Sequence, residues 1–203
     1  MLQKIRTLAA KVETTVGTAI ALANADGAWN AYDVKIQPTI DNSPRESQGS
    51  MDYLPSITGT RKGTATFKTD IGWDGTTTLP LWATVLFPAC GWVNTSGVLN
   101  PVSESPGGSG GVKTLTIGCY MDGMLKRISG AVGNFRIVLP TGRPSYIEWT
   151  FEGVWNAPTD TSILTPTYPT NEPPIRFASA TCSYNSVALK TEQVTVASNN
   201  TIT

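Results

Sequence analysis

The 203-residue chain contains no histidine. That removes the commonest general base and the commonest metal ligand in one stroke. Charged residues are also scarce, at 15%, where about 25% is usual. Lys and Arg number 15 and so do Asp and Glu, so no charge excess recruits nucleic acid or anionic lipid. A net charge near zero does little to hold copies of the chain apart. Cysteines are three, Cys90, Cys119 and Cys182, far apart and in no C-x-x-C pair. Buried free thiols, made in a reducing compartment, are the expectation for them. No apolar run reaches the roughly 18 residues that a membrane span needs. The start, MLQKIRTLAAKVETTVGTAIALANA, imitates a signal peptide, but Lys11, Glu13, Thr14 and Thr15 interrupt the apolar stretch that one requires.

Catalytic patterns are missing too. Glu148 and Glu152 share a strand face with Thr150 between them. Strand spacing sets such residues roughly 13 Å apart, beyond the roughly 9.5 Å limit of an inverting glycosidase pair. Asp70, Asp74 and Asp122 form no D-x-D-x-D-G cation loop. There is no phosphate loop and no G-x-S-x-G turn. No enzyme, cofactor or metal site is expected.

What the chain does hold is turn and strand chemistry. It has 19 Gly and 14 Pro among many Thr and Ser. WNAYDVKIQPTI alternates, with Tyr32, Val34 and Ile36 on one face and Asp33, Lys35 and Gln37 on the other, and Pro38 weakens its end. The stretch from Asp41 to Gly59 is polar, holds two prolines, and reads as a long loop of the kind that binds something. TATFKTDIGW alternates again, placing Ala65, Phe67, Thr69, Ile71 and Trp73 together. A helix is predicted near 79–90. Thr78 would cap it, Pro80 sits in its first turn, Gly91 closes it, and Trp82, Val85, Leu86 and Ala89 form one face. Ser103 to Gly111 is a flexible surface loop by composition. From Val112 to Trp155 the pattern predicts an antiparallel meander, with a hairpin turn at Asp122-Gly123 and a bulge or close approach at Gly130 and Gly133. Ile147, Trp149 and Phe151 form the apolar face of its last strand. The Leu115–Leu139 hairpin reads as a projecting ribbon whose unpaired backbone invites another chain.

Several of these pieces resemble, in order, the tube proteins of long-tailed bacteriophages. They are KVETTVGT from Lys11, TGTRKGTATFKTDIGW, a short helix ending in ACGW, and above all KTLTIGCYMDGMLKRISGAVGNFRIVLPTGRPSYIEWTFEGVW, Lys113 to Trp155. The match spans most of residues 4–160. The resemblance implies an all-β fold, a β-sandwich or flattened barrel, with one short flanking helix. It implies a structural virion protein that assembles into six-fold or pseudo-six-fold rings, stacked into a hollow tail tube through which DNA passes without specific binding. Its partners would be its own copies and tape-measure and tail-tip proteins. It would be made in the bacterial host cytoplasm and reside in the virion. Residues 1–175 would form the tube domain. Residues 176–203 would begin a further lobe or exchange with a neighbour, since many related chains are longer. Either the chain is a piece of one of those or it is a short member. The Leu115–Leu139 hairpin is assigned to the lumen and the Asp41–Gly59 loop to contacts between rings or subunits. Interface candidates are Arg45, Glu46, Asp52, Tyr53, Asp122, Lys126, Arg127 and Arg136, the last three also being a candidate basic patch. Two alternatives stand beside this one: a tail-tip, tube-completion or decoration protein on the same fold, and a carbohydrate-binding adhesin that stacks sugars on Trp29, Tyr53 or Trp92.

Overall fold

A computed structural model describes residues 6–46, 49, 53–72, 79–95, 98–101, 111–169, 174–176 and 182–200. The strands include the alternating segments and others beside them. They are β1 (Arg6–Val12), β2 (Tyr32–Glu46), β3 (Tyr53–Asp70), β4 (Trp92–Thr95), β5 (Val98–Pro101), β6 (Leu115–Met121), β7 (Met124–Pro140), β8 (Tyr146–Asp160), β9 (Cys182–Tyr184), β10 (Val187–Leu189) and β11 (Gln193–Ala197). Seven of them build one sheet in the order β1-β6-β7-β8-β3-β2, with β11 added to β7. Every pairing is antiparallel. β4 with β5 and β9 with β10 form separate two-stranded ribbons. The protein is all-β with a single short α-helix among the described residues, α1 (Leu81–Leu86), which runs on into a 3-10 turn, Phe87–Cys90.

The sheet curls around one core. Leu8 and Ala10 of β1, at one end of the strand order, share an apolar cluster with Val34 and Ile36 of β2 at the other end. Arg6 Nη1 donates to Val34 O at 3.0 Å across that closing gap. Trp82, Leu86 and Phe87 bring the helical segment onto the same cluster. The expected face of the helix is largely correct, with Trp82, Leu86 and Ala89 buried. The helix is shorter than predicted, because Pro88 turns the chain into the tighter 3-10 form. Its proposed cap Thr78, and Trp73, lie outside the described residues. On the other side of the sheet, Leu22, Ile163 and Leu164 pack on Ala9, Tyr120 and Leu125. β6 is therefore buried on both faces, Leu115 through Tyr120 without interruption.

Two expectations change here. The Leu115–Leu139 hairpin is no projecting ribbon: β6 lies between β1 and β7, and β7 between β6 and β8. Its run of small and apolar residues is that of a central strand covered on both faces. In the Asp41–Gly59 stretch, residues 41–46 and 53–59 are not loop but the far halves of β2 and β3, paired to Glu46↔Tyr53. Prolines misled the reading, since β2 is an edge strand, where a missing N–H can face solvent. Pro44 falls in a register shift between Ser43 and Arg45. Arg6–Val12, where the sequence pattern indicates no particular element, is also a strand. The segment 176–203 contributes β11 to the main sheet through pairs from Gln193↔Pro140 to Ala197↔Arg136.

The meander behaves as its glycines predict. Asp122 and Gly123 hold the hairpin with φ of 50° and 79°. At Gly133 the backbone of β8 comes so close that an added Cβ would meet Thr150 O and the Phe151 ring. Gly133→Ala is expected to cost about 1–3 kcal/mol through overpacking, although Ala in an open strand position would stabilise. Urea denaturation decides it: a stability equal to or above wild type would mean that β8 yields freely at this point.

Candidate functional site

The strands part company beyond the middle of the sheet. β3 pairs with β8 only from Lys62↔Val154 to Asp70↔Tyr146. Past Val154, β8 follows β7 to Asp160↔Met124. Before Lys62, β3 follows β2 alone. The result is a fork with Trp155, Ile128 and Gly63 in contact at its base. One prong is a two-stranded arm, residues 40–46 against 53–61. Ile40, Leu54 and Ile57 are 45%, 41% and 56% exposed along it. Two-stranded ribbons are marginal in water without a covering surface. The outer rim of β2 carries Pro38, Pro44 and three register shifts, devices that oppose strand addition along an edge. The arm thus offers its side-chain faces more readily than the β2 rim.

Next to the arm lies the solvent-facing side of β2, β3, β8 and the second half of β7. A row of opposite charges crosses all four strands. Arg136 Nη1 lies 3.6 Å from Glu148 Oε2, Glu148 Oε1 lies 3.7 Å from Lys68 Nζ, and Lys68 Nζ lies 3.1 Å from Asp33 Oδ2. Register explains the first two contacts, since Arg136↔Glu148 and Glu148↔Lys68 are direct cross-strand partners. The third needs a bulge. The β2–β3 register shifts between Tyr32 and Lys35, and Asp33 sits there with φ of 54°. The bulge re-aims its carboxylate along the row. The hydrogen bond to Asp33 holds the Lys68 ammonium above its ordinary pKa against a smaller opposing effect of burial, and Lys68 also lies over the Tyr146 ring at 5.3 Å. Beside the row, Tyr32 donates from its hydroxyl to Asp70 Oδ1 at 3.1 Å, and burial together with that carboxylate pushes the phenol pKa up. An open groove of about 430 Å³ runs over this face, lined by Asp33, Lys35, Thr66, Lys68, Glu148 and Thr150.

The residues singled out from sequence scatter. Arg45 and Glu46 stand at the end of β2 beside the arm's turn, opposite Leu54 and Tyr53. Asp52 and the side chains of Glu46 and Tyr53 lie outside the described residues. Asp122 occupies the β6–β7 turn, with Lys126 and Arg127 just beyond it. Arg136 is ten positions further along β7, roughly 30 Å away at strand rise. Lys126, Arg127 and Arg136 therefore form no single basic patch. Two of the three proposed sugar-stacking aromatics are also spoken for. Trp29 is 2% exposed and donates from Nε1 to Asp26 O at 3.0 Å. Trp92 packs edge-on against Phe135 at 5.7 Å. Cys90 and Cys119 are buried free thiols, and burial raises the pKa of both. The row itself escaped the sequence reading, because its members are ordinary polar-face residues until register makes them neighbours. Among the described residues, no cluster of His, Cys, Asp or Glu is arranged to hold a metal ion.

No protein-family model matches the chain, and no curated protein gave a significant match.

Proposed function

We propose that this chain is a self-assembling structural subunit that closes into rings with its own copies, the rings stacking into the hollow tail tube of a long-tailed phage. One observation carries the reading. The arm leaves the sheet with Ile40, Leu54 and Ile57 exposed, and covering such a ribbon with another copy is the simplest way to remove that apolar surface from water. The ordered sequence resemblance between Lys113 and Trp155 supports it. So does the curled sheet around one core, which fits a flattened barrel of the tail-tube kind.

The lumen assignment moves. Both faces of β6 are covered, so that strand offers nothing to a water-filled bore. The polar outer face of β2, β3, β8 and the second half of β7 is the surface suited to line it. In this reading the arm reaches a neighbouring subunit or the next ring.

Negative-stain microscopy of the concentrated full chain is expected to show rings or tubes. Replacing residues 44–54 by a short Gly-Ser turn is expected to abolish them. The far-UV spectrum and the melting of the sheet should persist, because the arm lies outside the main core. Tubes that form undiminished in the shortened protein would defeat the reading of the arm. Monomers at every concentration of the full chain would defeat the tube itself.

A further inference from the structure

The charge row on the outer face is costly in one place. Asp33 sits in the left-handed backbone region, with φ of 54°, which non-glycine residues avoid although Asp and Asn tolerate it best. A strained residue is worth a functional question. Here the strain delivers a second carboxylate to Lys68, which already has Glu148 at 3.7 Å. A surface ion pair adds little to stability, so stability does not account for the arrangement. Local charge does. Lys35 and Lys68 stand on the adjacent strands β2 and β3, and Arg136 stands on β7, across β8 from Lys68, so successive cations are roughly 5–10 Å apart at sheet spacing. Lys62 lies on the same side of β3. Asp70 and Glu152 stand on the same face above and below the row, but along the row itself, without Asp33 and Glu148, only cations would remain beside a polar groove, which is the footprint that tracks a phosphate backbone.

We infer that Asp33 and Glu148 mask a latent phosphate-binding stripe, Lys35–Lys68–Arg136, so that duplex DNA passes this face without being held. The inference rests on the tube reading for why DNA meets the face, but the masking belongs to the single subunit and is measurable there. Both carboxylates act through the cations beside them. Lys68 and Arg136 stay in place, useful for sheet pairing, but their charge is offset by the carboxylates beside them, which leaves Lys35 alone to offer its charge to a phosphate. Counterion release on DNA binding scales with the number of phosphates neutralised, and a cation already paired with a carboxylate releases few.

The test is binding of a short fluorescent DNA duplex by the full chain, followed by anisotropy between about 50 and 200 mM salt. Three proteins are compared: wild type, Asp33→Asn with Glu148→Gln, and a control of equal charge change, Asp41→Asn with Asp160→Asn. Asn suits the backbone at position 33. Glu148→Gln alone, which leaves the bulge untouched, guards against a folding defect and is expected to give part of the effect. The masked-face variant should bind at least ~10-fold more tightly than wild type, with a log–log salt slope steeper by about 2, since about two more phosphates are neutralised. The control should change by less than ~3-fold, because its charges lie outside the row. Equal gains in both double variants would make net charge the cause and overturn the inference. So would no gain in either Glu148 variant. Absence of tubes under the microscope, with the affinity gain intact, would remove the tube reading and leave the masked stripe standing.

Discussion

Trp149→Ala is expected to lower the unfolding free energy by about 3–5 kcal/mol, the range for emptying a large aromatic site in a core. Trp149 is 1% exposed and stands at the centre of the aromatic cluster. Its ring lies 5.1 Å from Phe87, 6.0 Å from Phe135 and Phe151, 6.3 Å from Trp82 and 6.5 Å from Phe67. These neighbours come from β7, β8, β3 and the helical segment, so one truncation loosens every layer. Nε1 also donates to Thr69 Oγ1 at 2.9 Å inside the core. A domain holds only about 5–15 kcal/mol in total. At a urea m-value of about 2 kcal/mol per molar, the midpoint should fall by roughly 2 M. Trp149→Phe keeps most of the volume and loses the N–H, and should fall by less than half as much. A midpoint within about 0.5 M of wild type for the Ala variant would show that the helix and sheet close over the gap.

Legibility of the fold followed the physics of each segment. Where one face was buried and the other wet, alternation gave the strand and its inward residues, as with Ala65, Phe67 and Thr69 or Ile147, Trp149 and Phe151. Where both faces were buried the signal faded. LTIGCY in β6 and RTLAAKV in β1 have no polar side to alternate with, so their central and edge places could not be read. The arm was hidden for the opposite reason. Its two strands are exposed over most of their length, and polar residues and prolines on an edge look like a loop. The charge row was hidden again by register. Arg136, Glu148 and Lys68 are far apart in the chain and meet only because β7, β8 and β3 are adjacent in a fixed alignment. Asp33 joins them only through a bulge.

Glu13 illustrates the last kind of hidden residue, and it carries the second large effect. In sequence it merely interrupts a false signal peptide. In the fold it is 7% exposed, with its carboxylate filled by four donors. Thr114 Oγ1 and Gly17 N–H donate to Oε2 at 2.7 and 2.8 Å, and Thr116 Oγ1 and Gly130 N–H donate to Oε1, both at 2.8 Å. One side chain thus ties the segment after β1 to β6 and to the bulge of β7, where Gly130 takes φ of 61°. Burial pushes the carboxyl pKa up, but the bonds from Gly130, Thr114, Thr116 and Gly17 together outweigh it and set it below the ordinary 4.5. Because the folded value is the lower one, the ionised carboxylate stabilises the protein above the unfolded value, and that contribution is lost as pH falls through the folded value. Glu13→Ala leaves two amides and two hydroxyls without their acceptor, and is expected to cost about 3 kcal/mol at pH 7. Glu13→Gln puts an amide donor against either Gly17 N–H or Gly130 N–H and should cost about 2 kcal/mol. The gap between wild type and Glu13→Gln, measured by urea denaturation, should hold from pH 7 down to about 4.5 and then narrow in more acid solution. A gap that stays constant into acid solution would mean that the Glu13 carboxyl binds its proton equally well in the folded and unfolded chains, and the four-donor account of this junction would be wrong.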